Sequence, residues 1–244
     1  MGIASATKYF LRKTGTFVAA KDLYYALGGT VDWSETEWLN RLLGTQRDVF
    51  FIQIGANDGK TYDYIYPIAR DRGWRGVLVE PIGYLFSRLV ENYRGAQGIE
   101  FENAAVAEVA GKRCFYRLRE TADAALPLWY EGIGSFSKDT VLSHRYLIPN
   151  IDDFLVEEEV ECITFDELTN RHGVTKIDLI LIDTEGYDLN ILRTIDFRRF
   201  CPKLLIYEQH HLSLHDKAAA KDLLKSWGYA VLPMGLNNAA VRRR

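Results

Sequence analysis

The segment Asp48-Val-Phe-Phe-Ile-Gln-Ile-Gly-Ala-Asn-Asp-Gly-Lys60 decides the fold. Its first half is a short apolar run, and its second half is a turn that begins at Gly55 and contains Gly59. An apolar run bounded by glycines is typical of a buried strand that ends in a tight turn. Glycine has no Cβ, so the backbone of this turn can approach a ligand closely. Because ligands of open α/β sheets bind beyond the carboxyl ends of the strands, the turn is a candidate binding site.

A second predicted strand, Gly76-Val-Leu-Val-Glu-Pro81, ends in the carboxylate of Glu80. A carboxylate accepts hydrogen bonds through two oxygens and can bind both hydroxyls of a ribose. The turn after the first strand lacks the G-x-G-x-x-G pattern of dinucleotide folds, and Lys60 is its only nearby cation. It is therefore a poor phosphate site. Although glycine turns also occur simply as tight turns, the acid-ended strand favours a nucleoside cofactor without phosphates, such as S-adenosylmethionine.

Composition bounds the class of protein. The chain has 244 residues, of which 48% are hydrophobic and 26% charged, as expected of one α/β domain with a sizeable core. The net charge of −3 gives no electrostatic case for a nucleic-acid partner, and the basic tail Val241–Arg244 is expected to be a solvated end. Three cysteines without a C-x-x-C pair predict free, buried thiols and a reducing, cytoplasmic location. No apolar run has the length of a signal-peptide core or a membrane span.

Residues 1–47 are expected to form a helical N-terminal extension. Ser34 and Glu37 match a capping box, and the helix that they start should end at Gly44. Upstream, aromatic and basic residues recur in an amphipathic stretch between Tyr9 and Lys21. Such a stretch packs on its own domain, or makes weak contact with a membrane surface or a partner. The sequence leaves these alternatives open.

Residues 48–244 are expected to form one domain of alternating strands and helices. After the first two strands, further strands are predicted near Ile99–Val106, Lys176–Asp183, Lys203–Glu208 and Tyr229–Pro233. Residues 120–150 interrupt this pattern, and a long irregular stretch inside a compact domain is usually functional or disordered. We therefore predict a substrate-side insertion there. Its residues that suit a polyhydroxylated acceptor include Ser135, His144 and Tyr146.

Carboxylates end two later predicted strands, at Asp183 and Glu208. The carboxyl ends of parallel strands share one edge of a sheet, so both acids are expected near Glu80 and the Gly55 turn. Structural roles remain alternatives, because an acid is favourable where a helix starts and because Glu208 can pair with the neighbouring histidines His210 and His211.

Taken together, these segments resemble the FkbM family of S-adenosylmethionine-dependent methyltransferases. The resemblance implies a Rossmann-like class I methyltransferase sheet of seven strands, mostly parallel, with the last strand antiparallel. It also implies O-methylation of a hydroxyl on a sugar, glycolipid, glycan or natural product. Two positions depart from the pattern, since Gln53 stands where many methyltransferases have an acid and Leu181 stands where many family members have a lysine. The matching segments occur in family order over roughly residues 48–235, and they are Ile54–Gly59, Val79–Pro81, Asn103–Val106, Gly134–Ser135, Thr164–Leu168, Ile182–Asp188 and Leu205–Glu208.

The resemblance also implies roles for individual residues. Glu80 would bind the ribose, and Asp183 would lie closest to the reacting centre. The turn after the first strand would line the methionine end of the cofactor, and the end of the third strand would lie near the adenine. The residues assigned to cofactor binding in this way are Gly55, Ala56, Asn57, Gly59, Glu80, Asn103, Ala104 and Asp183.

Methyl transfer from a sulfonium to a hydroxyl is an in-line displacement that requires alignment and removal of the hydroxyl proton. The sequence does not choose among the candidate bases. A metal-assisted alternative places Mg²⁺ on Asp183 and Glu208, because oxygen ligands at adjacent strand ends suit a hard cation that would acidify the hydroxyl. Besides Asp183, the candidate catalytic residues are Glu185, Glu208, His210 and His144.

Functions of two other kinds stay open. The protein could keep the methyltransferase fold but only bind the cofactor or a glycan, without catalysis. Alternatively, it could be an enzyme that uses NAD or a nucleotide sugar on a similar sheet. The absence of G-x-G-x-x-G argues against the phosphate-bearing ligands. The sequence thus predicts a small-molecule or glycan acceptor and no nucleic-acid partner, and it leaves the oligomeric state open.

Overall fold

A central sheet of seven strands organises the molecule. The computed structural model describes residues 35–44, 46–121, 126–127 and 129–243. In chain order, the strands and helices are α1 (Glu35–Leu42), β1 (Phe50–Ile54), α2 (Ile65–Arg72), β2 (Arg75–Val79), α3 (Gly83–Asn92), β3 (Ile99–Glu102), β4 (Ala105–Val106), β5 (Gly111–Leu118), β6 (Gly134–Ser135), α4 (Lys138–Leu142), β7 (Leu155–Ile163), α5 (Phe165–Arg171), β8 (Leu179–Ile182), α6 (Asp188–Thr194), β9 (Leu204–Glu208), α7 (Leu214–Ser226), β10 (Tyr229–Met234) and β11 (Asn237–Arg242).

The order of strands in the central sheet is β10-β11-β9-β8-β1-β2-β3. The pairs β9–β8, β8–β1, β1–β2 and β2–β3 are all parallel. β11 is antiparallel to both of its neighbours, β9 and β10. This arrangement confirms the expected α/β fold, with seven strands, a mostly parallel sheet and an antiparallel last strand.

The end of the chain differs from the sequence prediction of one last strand followed by a solvated tail. The chain turns at Gly235, which has a φ of +62°, and returns as β11 between two strands. Ala239 and Ala240 are fully buried there, and Val241 is only 4% exposed. The small side chains give this strand a weak apolar signal, although they fit a position covered on both sides.

Two hydrophobic cores cover the two faces of the central sheet. Along β1, Ile52 and Ile54 belong to one core and Phe51 to the other, which is the alternation expected of a strand. Side chains of α5, α6 and α7 cover the first core, and side chains of α1, α2 and α3 cover the second. Because both faces are covered, the central strands are apolar along their length, and polar groups collect where the strands end.

A second sheet, which the sequence analysis does not predict, has the order β4-β7-β5-β6. The strand predicted at 99–106 is divided, because β3 ends at Glu102 and Ala105–Val106 pairs with β7 instead. β7 is rich in glutamate, and Glu158 forms an ion pair of 2.7 Å with Arg117 on β5. A strand with so many charged residues lacks the apolar pattern on which strand prediction depends.

The described part of residues 120–150 is more regular than the sequence suggests. It contains a 3₁₀ turn at Tyr130–Gly132, the short strand β6 and helix α4. A small core of its own holds it together, formed with β5 and the residues before β7. The buried side chains of that core are Leu118, Tyr130, Ile133, Val141, Ile148 and Ile151.

The helix predicted before the first strand is present as α1, and Gly44 follows it with a φ of +53°. Its predicted capping residue Ser34 and the amphipathic stretch between Tyr9 and Lys21 lie outside the described residues. All three cysteines are free thiols, as predicted, but the prediction that they are buried holds only for Cys162, since Cys114 and Cys201 are exposed. None of the described helices combines the length and the apolar character that crossing a membrane requires.

Candidate active site

A cavity of about 550 Å³ opens at the carboxyl edge of the central sheet. Gly55, Glu80, Asp183 and Glu208, which lie at the ends of β1, β2, β8 and β9, all contribute to its wall. Residues between Trp129 and Leu147 add a further wall. The four strand ends that the sequence singles out therefore meet in one place.

The turn after β1 requires glycine at its first position. Gly55 has a φ of +80°, and a Cβ there would lie 1.8 Å from the backbone oxygen of Asp183. The amides of Gly55 and Ala56 both donate hydrogen bonds of 3.0 Å to the backbone oxygen of Val79. The turns after β1 and β8 and the end of β2 thus meet with no room for a side chain.

Gly59, the second glycine of the turn, packs against a helix. It has a φ of +67°, and a Cβ there would lie 2.2 Å from Leu89 Cδ1 and 2.9 Å from Tyr93 Cε2 on and just after α3. Its missing side chain therefore lets the turn pack closely on α3, and the structure does not place Gly59 on the cavity wall. The residues of the turn that line the cavity are Gly55, Ala56 and Asn57.

Glu80 is fixed by backbone groups and is 4% exposed. Its Oε2 accepts a hydrogen bond of 2.8 Å from the Asn57 amide, and its Oε1 accepts one of 2.9 Å from the Ile82 amide. Burial raises the pKa of Glu80 to about 7, with a smaller contribution from the charge of Asp183, while the two backbone hydrogen bonds oppose the shift. Each carboxylate oxygen keeps a further lone pair for a ligand hydroxyl.

The two residues predicted near the adenine are separated by the structure. Asn103 donates hydrogen bonds from Nδ2 to the backbone oxygens of Glu80 at 2.8 Å and Pro81 at 3.2 Å, so it braces the end of β2. Ala104, in contrast, is buried and lines the cavity, as does Ala105. The apolar surface that could receive a flat ring is therefore provided by the alanines.

Gln53, which stands where an acid is common, is paired with an acid from further along the chain. Its Nε2 donates a hydrogen bond of 3.0 Å to Asp63 Oδ2, and both residues line the cavity. Asp63 Oδ1 accepts the amide hydrogens of Ile65 at 2.6 Å and Tyr66 at 3.1 Å, which fixes the carboxylate at the start of α2. The Oε1 atom of Gln53 is buried and has no hydrogen-bond partner. Burial raises the pKa of Asp63.

Four acids lie close together where β8 and β9 end. The Asp183 side chain is exposed to the open cavity, but the cavity itself is surrounded by protein. Burial of the carboxylate within that surrounding protein raises the pKa of Asp183 to about 7, and the charge of Glu185 adds to the shift. Glu208 is 7% exposed, and burial followed by the charges of Asp183, Glu185 and Asp188 holds its pKa well above the usual range. The buried Asp188 accepts the Glu208 amide hydrogen at 3.1 Å and the Thr184 hydroxyl hydrogen at 3.0 Å.

Two imidazoles join these acids. His211 Nε2 lies 2.8 Å from Glu185 Oε2, an ion-pair distance without the alignment of a hydrogen bond, and 3.7 Å from Glu208 Oε1. The rings of His144 and His211 have centroids 5.1 Å apart. Donor atoms of His144, Glu185 and His211 all lie within 4.8 Å of one another. His210 is more exposed, and burial together with the nearby His211 lowers its pKa.

The predicted acceptor-side residues have different positions. Ser135 is 2% exposed; its hydroxyl donates to the backbone oxygen of Glu185 at 2.8 Å and accepts from the Ser137 amide at 3.2 Å. It therefore positions Glu185. His144 and Tyr146 do line the cavity, and Tyr146 is 76% exposed.

Several large apolar side chains are exposed where they line the cavity. They come from three separate loops: the loop before α2, the turn between β10 and β11, and the 3₁₀ turn after α4 with the residue that follows it. Such an arrangement exposes apolar surface to a ligand instead of burying it in the protein. These residues are Tyr62, Tyr146, Leu147 and Leu236.

Sequence reasoning gave no functional role to Asp63 or to His211, and it named His211 only as a structural partner of Glu208, from which it lies 3.7 Å. His211 follows His210 directly, and nothing in the local sequence tells which of the two turns toward Glu185. Asp63 lies ten positions after Gln53, and only the folded turn brings their side chains together. For His211 a usable signal is the closeness in sequence to the strand that ends at Glu208.

Comparison with known protein families gives one match that covers most of the chain. The family model for the methyltransferase FkbM domain matches residues 53–231. No curated protein sequence matches the chain.

Among the solved structures compared, one with a TM-score of 0.50 supports the fold. A methyltransferase FkbM from Methylobacillus flagellatus KT has a TM-score of 0.50 and 13% identity, with 90% of this chain and 50% of that chain covered. The Methanococcus jannaschii fibrillarin pre-rRNA processing protein has a TM-score of 0.40 and 13% identity, over 81% of this chain and 66% of that chain. A ribosomal protein L11 methylase from Lactobacillus delbrueckii subsp. bulgaricus has a TM-score of 0.40 and 11% identity, over 84% and 80%. The chain thus spans half to two thirds of the length of the first two structures.

Proposed function

The chain belongs to the FkbM family of methyltransferases, and from this membership we propose that it transfers a methyl group from S-adenosylmethionine to a hydroxyl of a sugar, glycan, glycolipid or natural product. The observation that carries the proposal is the position of Glu80. Its carboxylate is held by two backbone amides at the end of β2 and lines the same cavity as Asp183 and His211. A carboxylate suited to a ribose and a cluster of acids and imidazoles therefore line one cavity.

The residues present fit S-adenosylmethionine. Glu80 offers two oxygens to the ribose hydroxyls, and Ala104 and Ala105 offer an apolar surface to the adenine. The unpartnered Oε1 of Gln53, beside the carboxylate of Asp63, suits the ammonium group at the methionine end. The bound cofactor supplies an electrophilic methyl group on a sulfonium.

The protein must also align the acceptor and remove its proton. In the strand order, β8 lies next to β1 on the side away from β2, and β9 lies next to β8. Asp183 at the end of β8 therefore lies between the ribose-binding Glu80 and the group formed by Glu185, Glu208 and His211. We place the acceptor hydroxyl at that group, because a carboxylate and an imidazole 2.8 Å apart can hold a departing proton.

The surface around this group supports the acceptor class. Exposed Tyr62 and Tyr146 offer ring faces and hydroxyls, while Leu147 and Leu236 offer aliphatic surface. Sugar rings and natural-product scaffolds have apolar faces together with hydroxyl groups, so they match such a mixture. A magnesium ion on Asp183 and Glu208 has less support, because the donor group that converges contains two imidazoles, whereas Mg²⁺ prefers oxygen ligands.

The first test is ligand identity. Calorimetry with S-adenosylhomocysteine should give one binding event per chain, and NAD under the same conditions should give none. Methyl transfer from isotopically labelled S-adenosylmethionine should then be measured with hydroxyl, amine and thiol acceptors of similar scaffold. Label confined to hydroxyl compounds supports the proposal. Binding of NAD without any response to the sulfur compounds, or label confined to amines, would contradict it.

A further inference from the structure

We propose that His144, Glu185 and His211 form a binding site for a divalent first-row transition-metal ion such as Zn²⁺, with an open coordination position toward the cavity. Within the part of the chain that the structure describes, this is the group of three metal-ligating side chains whose donor atoms converge, all within 4.8 Å of one another. The role suggested for the ion rests on the proposed function, whereas its binding does not.

The donor set selects the class of metal. Two imidazole nitrogens and one carboxylate oxygen are a common ligand set of zinc and of other first-row divalent ions. Mg²⁺ and Ca²⁺ favour sites made of oxygen ligands. Three protein ligands leave at least one position free, which is the arrangement of catalytic metal sites as opposed to closed structural ones.

The orientation of His144 fits a ligand. Its Nδ1 lies 3.3 Å from the backbone oxygen of Val141, a contact that places the proton on Nδ1 and leaves the lone pair of Nε2 free. Metal-binding histidines usually donate their second ring nitrogen to a carbonyl or carboxylate in this way. The ring of Trp129 lies beside it, with its centroid 5.9 Å from that of His144.

The backbone holds Glu185 in an uncommon conformation. Its φ of +49° is in the left-handed region, which costs a non-glycine residue energy, and the hydroxyl of Ser135 fixes its carbonyl at 2.8 Å. At the next residue, Gly186, a Cβ would lie 3.4 Å from the Cβ of His211. The turn therefore brings the Glu185 carboxylate against His211 at a local cost, as is common where a ligand is bound.

Glu208 supplies an independent observation. Its carboxylate is more than nine-tenths buried, its Oε2 has no hydrogen-bond partner, and its Oε1 lies 3.7 Å from His211 Nε2. A buried carboxylate beside Glu185 and Asp183 is unfavourable without a nearby cation. A divalent ion on His211 would supply that cation, with Glu208 acting as a fourth ligand or as an outer partner.

The expected role follows from the position of the site. An ion there would bind the acceptor hydroxyl at its open position and lower the pKa of that hydroxyl, as bound metals do for water. Proton removal would then not require a strongly basic side chain. The opposing interpretation is an ion-paired group of imidazoles and carboxylates that binds no metal.

The test measures metal binding directly. The full chain, freed of metal with chelator, should be titrated with Co²⁺ while visible d–d absorption is recorded, and then with Zn²⁺ by calorimetry and elemental analysis. We expect one ion per chain. His144→Ala, His211→Ala and the isosteric Glu185→Gln should each weaken the affinity at least about tenfold. His210→Ala is the matched control, because His210 neighbours His211 but lies outside the convergent group, and its affinity should stay within about twofold of the wild type.

The same preparations should be titrated with S-adenosylhomocysteine, and their folding checked by circular dichroism. Failure of Co²⁺ and Zn²⁺ to bind a folded wild-type protein would overturn the metal site, as would equal affinity in Glu185→Gln and the wild type. If S-adenosylhomocysteine still binds in that case, the proposed function stands without the metal. Stoichiometric metal binding without cofactor binding would leave the site supported and the proposed function rejected.

Discussion

Gln53 and Leu181 are paired residues on the adjacent strands β1 and β8. Both line the cavity. Gln53 stands where many methyltransferases have an acid, and Leu181 stands where many FkbM family members have a lysine. An acid and a lysine at these paired positions would compensate each other's charge, and this chain has neither charge there. The carboxylate reappears nearby as Asp63, which the Gln53 amide contacts at 3.0 Å.

The first prediction concerns Asp63. Asp63→Asn should weaken binding of S-adenosylmethionine by about 1.5–3 kcal/mol, because a charge-assisted contact to the ammonium group is lost. Thermal stability should not fall much, since burial already disfavours the ionised form of Asp63 and the Asn side chain can still accept from the start of α2. Calorimetry and thermal melts measure both effects. Asp58→Asn provides the control, because Asp58 belongs to the same loop and its carboxylate accepts hydrogen bonds from the neighbouring residues Lys60 and Thr61.

The second prediction concerns cofactor binding by Glu80. Glu80→Ala should weaken binding of S-adenosylhomocysteine by about 1.5–3 kcal/mol, the usual effect of losing hydrogen bonds to a charged group. Glu80→Gln keeps one acceptor oxygen and should lose less. An unchanged affinity in a folded Glu80→Ala variant would remove this residue from the cofactor site.

The raised pKa of Glu80 gives a third prediction, on pH. Ribose hydroxyls donate to the ionised carboxylate, so binding should lower a pKa that is about 7 in the free protein and release a proton near neutral pH. Affinity should therefore decline as the pH falls through about 7. The folding stability of the free protein depends on pH in the opposite direction. Because the folded protein favours the neutral form of Glu80, the contribution of Glu80 to stability is present at low pH and is lost as the pH rises through about 7.

Calorimetry in two buffers with different ionisation enthalpies measures the released proton. Glu80→Gln should abolish the release and flatten the pH dependence of affinity between roughly pH 6 and 8. Proton release of the same size in that variant would assign the titration to another group.

The fourth prediction separates activity from stability at Asp183. Asp183→Asn keeps the side-chain volume but removes a charge that lies near Glu185 and Glu208. The melting temperature should stay the same or rise, because repulsion among these acids is relieved. Methyl transfer should fall about 100-fold, the range expected when a polar group at the reacting centre is lost. Asp222→Asn, on an exposed position of α7, should retain full turnover. Wild-type turnover with a lower melting temperature would reduce Asp183 to a structural role.

The sequence predicts the positions of the strand-end residues well, because a parallel sheet needs little further information. Once the apolar runs of β1, β2, β8 and β9 are recognised, their carboxyl ends must meet, and Gly55, Glu80, Asp183 and Glu208 meet with them. The clash of a Gly55 Cβ with the Asp183 backbone also follows from tight turns on neighbouring strands. These positions depend on topology alone.

Residues whose positions depend on loop conformation could not be predicted in this way. The contact of His211 with Glu185 requires a left-handed residue at Glu185 and the Ser135 hydrogen bond from a distant segment. The second sheet depends on pairing between β5 and β7, where Glu158 of β7 forms an ion pair with Arg117 of β5. Such contacts join residues that are far apart in the sequence, so no local sequence pattern predicts them.

The last prediction is that residues 126–148 close over the bound cofactor. The segment already contacts the Gly55 turn, since a Cβ at Gly132 would lie 2.3 Å from Asn57 Nδ2. Arg88 on α3 forms an ion pair with Glu131, and Ser135 bonds to Glu185. A ligand that orders the Gly55 turn should therefore order this segment too, and exclude water from the cavity.

Hydrogen exchange with and without S-adenosylhomocysteine should show increased protection in peptides from residues 126–148 as well as in the Gly55 turn, with no change in α7. Gly132→Ala should weaken this shared protection and the affinity, because the new Cβ displaces the Asn57 side chain. Gly83→Ala is the matched control, since a Cβ there meets no atom within 4 Å. Protection that rises around Gly55 but nowhere between residues 126 and 148, even with an acceptor present, would show that the segment is a wall of the cavity and not a lid.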